Sequence, residues 1–346
     1  MFDTIVTELI ELDGSDLILS TGAHASARVD GKLRALAGPR LTSGDIAEIV
    51  RSITTDDQQH ALEEHRDLDF SFNWKNRARL RANVFYQRGT LALALRVLPY
   101  EIPTAESLGV PGAVVDWADG YHGLVLVTGP TGSGKSSTLA ALVDRINKRR
   151  AVHIVTIEDP IEYLYRHAKA VVNQREVGTD VPSFARGVRA AMRENPDVIL
   201  VGEMRDLETI QIAITAAETG HLVLATLHTN DVSQTIDRVI DVFPSAQQAQ
   251  VRLQFANALV GVVHQQLLPR LDGGRVAAHE VLVATPAVRN LIREGKTGQL
   301  RNVVQTGSAY GMQTLESALN RLVADGVVTR EEALQRSAYP VELVAG

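Results

Sequence analysis

The chain has 346 residues, enough for two domains or for one large domain with an appendage. Hydrophobic residues make up 45% and charged residues 22%, ordinary values for a globular protein. No apolar run approaches the ~18 residues of a membrane span, and Met1-Phe2-Asp3-Thr4 lacks the basic start and apolar core of a signal peptide. Cysteine is absent, which excludes disulfides and cysteine-based zinc sites. These bounds fit the cytosol. A net charge of −6 weighs mildly against a nucleic-acid partner. Arginine carries almost all of the basic charge, and its forked donors suit phosphate and carboxylate.

Residues 1–98 are expected to form a mixed α/β domain. Phe2, Ile5, Val6, Leu9 and Ile10 have helical spacing. Asp16 to Ser20 and Ser26 to Leu36 are expected as strands, with Asp30-Gly31 as a tight hairpin turn. Ser43 is expected to cap a helix running toward Ile53. Leu68, Phe70, Phe72 and Trp74 alternate with polar residues, as in a half-buried strand. After a Lys75-Asn76 turn, Ala78, Leu80, Ala82 and Val84 alternate with an arginine-rich face of Arg77, Arg79 and Arg81. Thr90 to Leu98 continues as an apolar strand carrying Arg96. Pro99, Pro103, Gly109 and Pro111 mark 99–111 as a linker.

From residue 112 the pattern alternates strand and helix, which implies a parallel sheet. Strands are expected at 124–128, 152–157, 197–202 and 221–227, with helices at 134–148, 183–194 and 206–218. This second domain is expected to run to residue 270, after which Gly273-Gly274 breaks the chain and a helical region fills 271–346. Within that region Thr285-Pro286 should start one helix, and Thr329 to Glu332 reads as a capping box for the last.

Gly129-Pro130-Thr131-Gly132-Ser133-Gly134-Lys135-Ser136 fits the pattern G-x-x-x-x-G-K-[ST] at every specified position, between an apolar strand and a helical pattern. Glycines there let backbone N–H groups turn around phosphates, and the helix N-terminus adds partial positive charge. Lys135 would reach the terminal phosphates, Ser136 would ligate Mg²⁺, and Ser137 continues the same turn. The cofactors expected are therefore ATP and Mg²⁺. A metal partner and a group that positions water are also needed. Asp197 to Glu203 is an apolar strand ending in a carboxylate, so Glu203 is the candidate metal partner. His153 to Glu162 is a second strand running into acids, with Glu158 and Glu162 as candidates for the water. His221 and His228 flank a strand that separates them by more than ~20 Å, too far for a shared metal. Phosphate sensing or a subunit contact suits them better.

Four motifs follow in order: Gly129 to Ser136, "TIEDPIE" at Thr156 to Glu162, "DVILVGEMRD" at Asp197 to Asp206, and "TAAETGHLVLATLHT" at Thr215 to Thr229. Together they resemble the Walker A, Asp box, Walker B and His box of the secretion ATPase superfamily. "VNQREVG", ending at Gly178, is also familiar from that superfamily. "AVRNLIRE" at Ala287 to Glu294, the absent cysteines and a chain beginning close to the small N-terminal domain are similar to the pilus retraction branch. Ile18 in "SDLILS" departs from the histidine usual there. The resemblance implies a RecA-like P-loop ATPase core, a small N-terminal PAS-like α/β domain and a helical C-terminal tail. It implies catalytic roles for Glu162, Glu203 and Lys135. It also implies nucleotide contacts from His221, His228, Arg81, Arg96, Arg193 and Arg205, with the arginines closing over nucleotide between domains or subunits. The implied assembly is a homohexamer at the cytoplasmic face of the inner membrane, held there by a pilus platform protein. An accessory or assembly ATPase of the same superfamily, and more distantly a RecA-like nucleic-acid translocase, are the alternative readings.

Overall fold

The computed structural model describes residues 1–29, 32–75, 77–98 and 101–343. The Asp30-Gly31 turn, Asn76 of the second turn and Pro99 of the linker lie outside the described residues. The chain divides into two compact units, Met1–Glu101 and Ile102–Gly346.

The first unit begins with α1 (Phe2–Glu11), followed by β1 (Asp16–Ser20), β2 (His24–Val29) and β3 (Lys32–Arg40). Then come α2 (Ser43–Ile53), α3 (Asp56–His65), β4 (Asp67–Trp74), β5 (Ala78–Gln87) and β6 (Thr90–Leu98). The strands form one antiparallel sheet in the order β3-β2-β1-β6-β5-β4. Alternation along β5 works as expected. Leu80, Ala82 and Val84 are buried with Ile5, Leu9, Ile46 and Leu62 from the three helices, while Arg79 and Arg81 lie on the other face. The start of α2 differs by one residue from expectation. Thr42, not Ser43, caps it, because the Thr42 hydroxyl accepts from Asp45 N while Asp45 accepts from Thr42 N. Helix α3 was not expected. It buries only Leu62 fully, so it carries almost no apolar period, and its one sequence signal is the Thr55/Gln58 capping box.

The second unit opens with α4 (Gly112–Trp117), β7 (Gly123–Thr128), α5 (Lys135–Arg149), β8 (His153–Glu158) and β9 (Val171–Glu176). It continues through α6 (Phe184–Ala191), β10 (Val198–Val201), α7 (Leu207–Glu218), β11 (Leu222–Leu227), α8 (Val232–Asp241) and α9 (Ser245–Ala258). The sheet order is β13-β12-β7-β11-β10-β8-β9, with β12 (Leu259–Pro269) and β13 (Arg275–Val283) forming an antiparallel hairpin at one edge. All other pairings are parallel. The central strands are buried on both faces, as helices on either side require. Leu124, Leu126 and Ile199 pack toward α6, α7 and α9, while Val125, Val127 and Leu200 pack toward α4 and α5.

The Gly273-Gly274 break is therefore a turn inside the sheet, both residues having positive φ, and the helical tail starts later than residue 271. It consists of α10 (Pro286–Arg293), α11 (Leu300–Thr306), α12 (Leu315–Ala324) and α13 (Arg330–Arg336). Thr285 and Thr329 cap α10 and α13, the Thr329 hydroxyl accepting from Glu332 N, which is one half of the expected capping box. Val288 and Ile292 are the buried residues of α10. Arg289, the residue after Val288, is half-buried. Its guanidinium folds back onto the carbonyls of Ala284, Ala256 and Asn257, neutralising the C-terminal end of α9.

Candidate nucleotide site

Parallel strands deliver their carboxyl ends to one edge of the sheet, where ligands of open α/β folds bind. The register places Leu227 beside Thr128 and Ala225 beside Val201, which in turn lies beside Ile157. The segments after β7, β8, β10 and β11 consequently meet. A pocket at that edge is lined by Lys135, Ser136, Glu158, Glu162, Glu203 and His228, together with Thr131 and Gly132.

The loop between β7 and α5 is held by glycine. A Cβ at Gly129, where φ is +142°, would lie 2.3 Å from Gln265 O and 2.6 Å from Ser133 Oγ. Lys135 Nζ donates to Gly129 O at 2.9 Å and Pro130 O at 3.0 Å, and lies 3.5 Å from His228 Nδ1. Burial lowers the Lys135 pKa, opposed by the charges of Glu203 and Glu162. Ser133 Oγ is buried with no partner among the described residues, leaving one hydroxyl available inside the loop. The Ser137 hydroxyl meets Tyr163 OH at 2.8 Å.

Two carboxylates of this pocket are tuned in opposite directions. Burial pushes Glu203 up, but the Arg205 hydrogen bond and the charges of His228, Arg205 and Lys135 hold it below the ordinary carboxylate value. Its oxygens lie 2.7 Å from Arg205 and 3.3 Å from His228 Nε2. Burial pushes Glu158 to about 7, against hydrogen bonds from Thr156 at 2.6 Å and Gln174 at 3.1 Å. Glu162 sits on the exposed rim. The 159–165 loop that carries it is stitched to β9, because Glu176 accepts Ile161 N while Gln174 donates to Tyr163 O and accepts from Tyr165 N.

Of the expected residues, Gly129 to Ser136, Glu162, Glu203 and His228 converge on one edge, with Arg205 beside them. His221 lies at the other end of β11, where Nδ1 meets Ala216 O at the end of α7. Arg193 is exposed between α6 and the start of β10, on that same far edge. Arg81 and Arg96 belong to the first unit. There Arg96 pairs with Asp16 at 2.9 Å, and Arg81 sits opposite it across β5 and β6. Two contributors escaped sequence reading. Gln174 stands within "VNQREVG" but that run points to no role for it, and Gln265 lies on a strand without a motif, with partners distant in the chain.

A glycine-bounded loop between strand and helix, its lysine, and carboxylates on neighbouring strand ends define a P-loop nucleoside triphosphatase. Residues 1–274 match the family model described as Type II/IV secretion system protein. The chain is 47% identical over 339 residues to the type IV pilus retraction ATPase PilT of Pseudomonas aeruginosa, covering 97% of this chain and 98% of that one. It is 46% identical to a twitching motility protein of Neisseria gonorrhoeae, over 90% of this chain and 83% of that one. A crystal structure of the pilus retraction motor PilT with bound ADP superposes with a TM-score of 0.93 at 50% identity, covering 98% of this chain and 97% of that one. The chain belongs to the type II/IV secretion system protein family and is an ATPase.

Proposed function

We propose that this chain is the subunit of a homohexameric motor that hydrolyses Mg-ATP to retract type IV pili. The convergence of Lys135, Ser136, Glu162, Glu203 and His228 on one pocket carries the chemical half of this reading. Likeness to retraction ATPases along nearly the whole chain supports the biological half.

Within the pocket, the loop N–H groups and Lys135 would hold the phosphates. Ser136 and Glu203 fit Mg²⁺, since one is a hydroxyl in the first turn of α5 and the other a carboxylate kept ionised by its surroundings. When bound, the ion supplies charge neutralisation on the phosphates. Glu162 would orient the attacking water and accept its proton. It is exposed on the rim, whereas Glu158 is buried and already committed to Thr156 and Gln174. His228 lies between Lys135 and Glu203, a position suited to sensing the terminal phosphate. Arg205, 2.7 Å from Glu203, would keep that carboxylate ionised and oriented in the pocket.

Arg81, Arg96, Arg193 and His221 are proposed to act between domains or subunits, where an added arginine stabilises transition-state charge. ATP would draw the N-terminal domain of one subunit toward the ATPase domain of another, with 99–111 as hinge and hydrolysis reopening it. The ring would push on a platform protein at the cytoplasmic face of the inner membrane. No helix among the described residues is long and apolar enough to cross a membrane, so that attachment would run through the partner. Deleting the gene tests the biological half: surplus pili that fail to retract support it, and loss of pili overturns it in favour of assembly.

A further inference from the structure

We propose that Gln265 is a positioning residue that holds the phosphate loop in its binding shape; this rests on the triphosphatase reading of the same loop. Gln265 lies on β12, one residue beyond the last β12–β7 pair, His264 with Thr128, so it stands beside the point where β7 gives way to the loop. The side chain is 1% exposed. Both ends of its amide are committed. Nε2 donates to Ser133 O at 2.6 Å, and Oε1 accepts from Thr138 Oγ1 at 2.8 Å. One planar group therefore grips the loop before Gly134 and the first turn of α5 after it.

The consequence follows from peptide geometry. In a trans peptide the C=O of Ser133 and the N–H of Gly134 point in opposite directions. Drawing the Ser133 carbonyl onto Gln265 turns the Gly134 N–H away from β12. That N–H belongs to the set that a phosphate loop offers to its anion. The backbone carbonyl of Gln265 adds a second constraint by filling the space a Cβ at Gly129 would need. Gly134 is likewise confined, since a Cβ there would stand 3.0 Å from Gln265 Nε2. β12 thus works as the back wall of the loop.

A packing glutamine would satisfy the same two polar atoms without affecting nucleotide, so the test separates affinity from stability. Wild type, Gln265→Leu, Gln265→Glu and Thr138→Val are titrated with a fluorescent ATP analogue, and their nucleotide-free Tm values are measured. In its ionised form Gln265→Glu keeps the size and can still accept from Thr138 but cannot donate to the Ser133 carbonyl, so the titrations are run at about pH 8.5. The expectation is about tenfold or greater weakening of binding in both Gln265 variants, one lost buried hydrogen bond expressed in the loop. Thr138→Val removes the other anchor of the same amide and should weaken binding less than either Gln265 variant, because the bond to the Ser133 carbonyl remains. Gln265 variants that lose only Tm and bind as tightly as wild type overturn the positioning role. Wild type that fails to bind the analogue would instead overturn the triphosphatase reading, an outcome visible in the same titration.

Discussion

Glu158→Gln probes how the nucleotide pocket is electrostatically arranged. Glu158 is 9% exposed, and Thr156 and Gln174 both donate to its Oε1, a role a glutamine amide oxygen can take over. Its carboxyl is raised from 4.5 to about 7 by burial. Below pH 4.5 the folded and unfolded states both hold the proton, and nothing is lost. Between 4.5 and 7 only the folded state keeps it, so stability falls as pH rises and then levels off. At 1.36 kcal/mol per pKa unit, an ionised Glu158 costs up to about 3 kcal/mol at pH 8. The amide carries no such cost. Nucleotide-free thermal unfolding from pH 5 to 8 should show the variant gaining on wild type up to about pH 7.5, with a Tm gap of roughly 3–8 °C at pH 8.

The difference between the two proteins is the informative quantity. His264 and His279 are lowered to about 4 by burial, so both cost stability as pH falls from 6.5 toward 4. That slope opposes the Glu158 slope, while Glu280, also raised to about 7 by burial, adds to it, so wild type alone does not isolate Glu158. A gap that stays constant across the pH range would refute the reasoning, since it would mean that Glu158 ionises normally in the folded protein.

Lys135→Ala should cut ATP turnover at least ~100-fold, while Glu162→Ala should keep nucleotide binding and lose hydrolysis; an ATPase assay beside a binding titration separates the two. Glu158→Gln should retain more turnover than Glu162→Gln, and the reverse order would exchange the roles of those carboxylates. Arg81→Ala should lower turnover without unfolding its domain, checked by circular dichroism, and a normal rate would return Arg81 to a solvated strand face. Arg289→Ala should cost about 1–3 kcal/mol of stability because three carbonyls lose a charged donor; an unchanged Tm would show that water replaces it.

The strand-and-helix run from residue 123 was legible because its strands are unbroken apolar runs bounded by glycine and acidic turns. The carboxylates of the site stood at the ends of those same strands. Strand β9 was missed because Val171 to Glu176 is mostly polar at a sheet edge, with Gln174 and Glu176 serving the 159–165 loop. β12 was hidden by its start, where α9 passes into the strand at Leu259 without a glycine or proline to mark the change. Its partner β13 then looked like the beginning of a tail rather than half of a hairpin. Gln265 could not be found by spacing, since Ser133 and Thr138 lie 132 and 127 residues away. Thr55 to Gln58 did announce α3, but a capping box without an apolar period is an easily overlooked signal.

The most direct measurement is a titration of Mg-ATP into the purified wild-type protein and into Lys135→Ala. The account predicts saturable binding to wild type and binding at least about tenfold weaker in the variant. Equal affinity in the two proteins, or no binding to wild type, would contradict it.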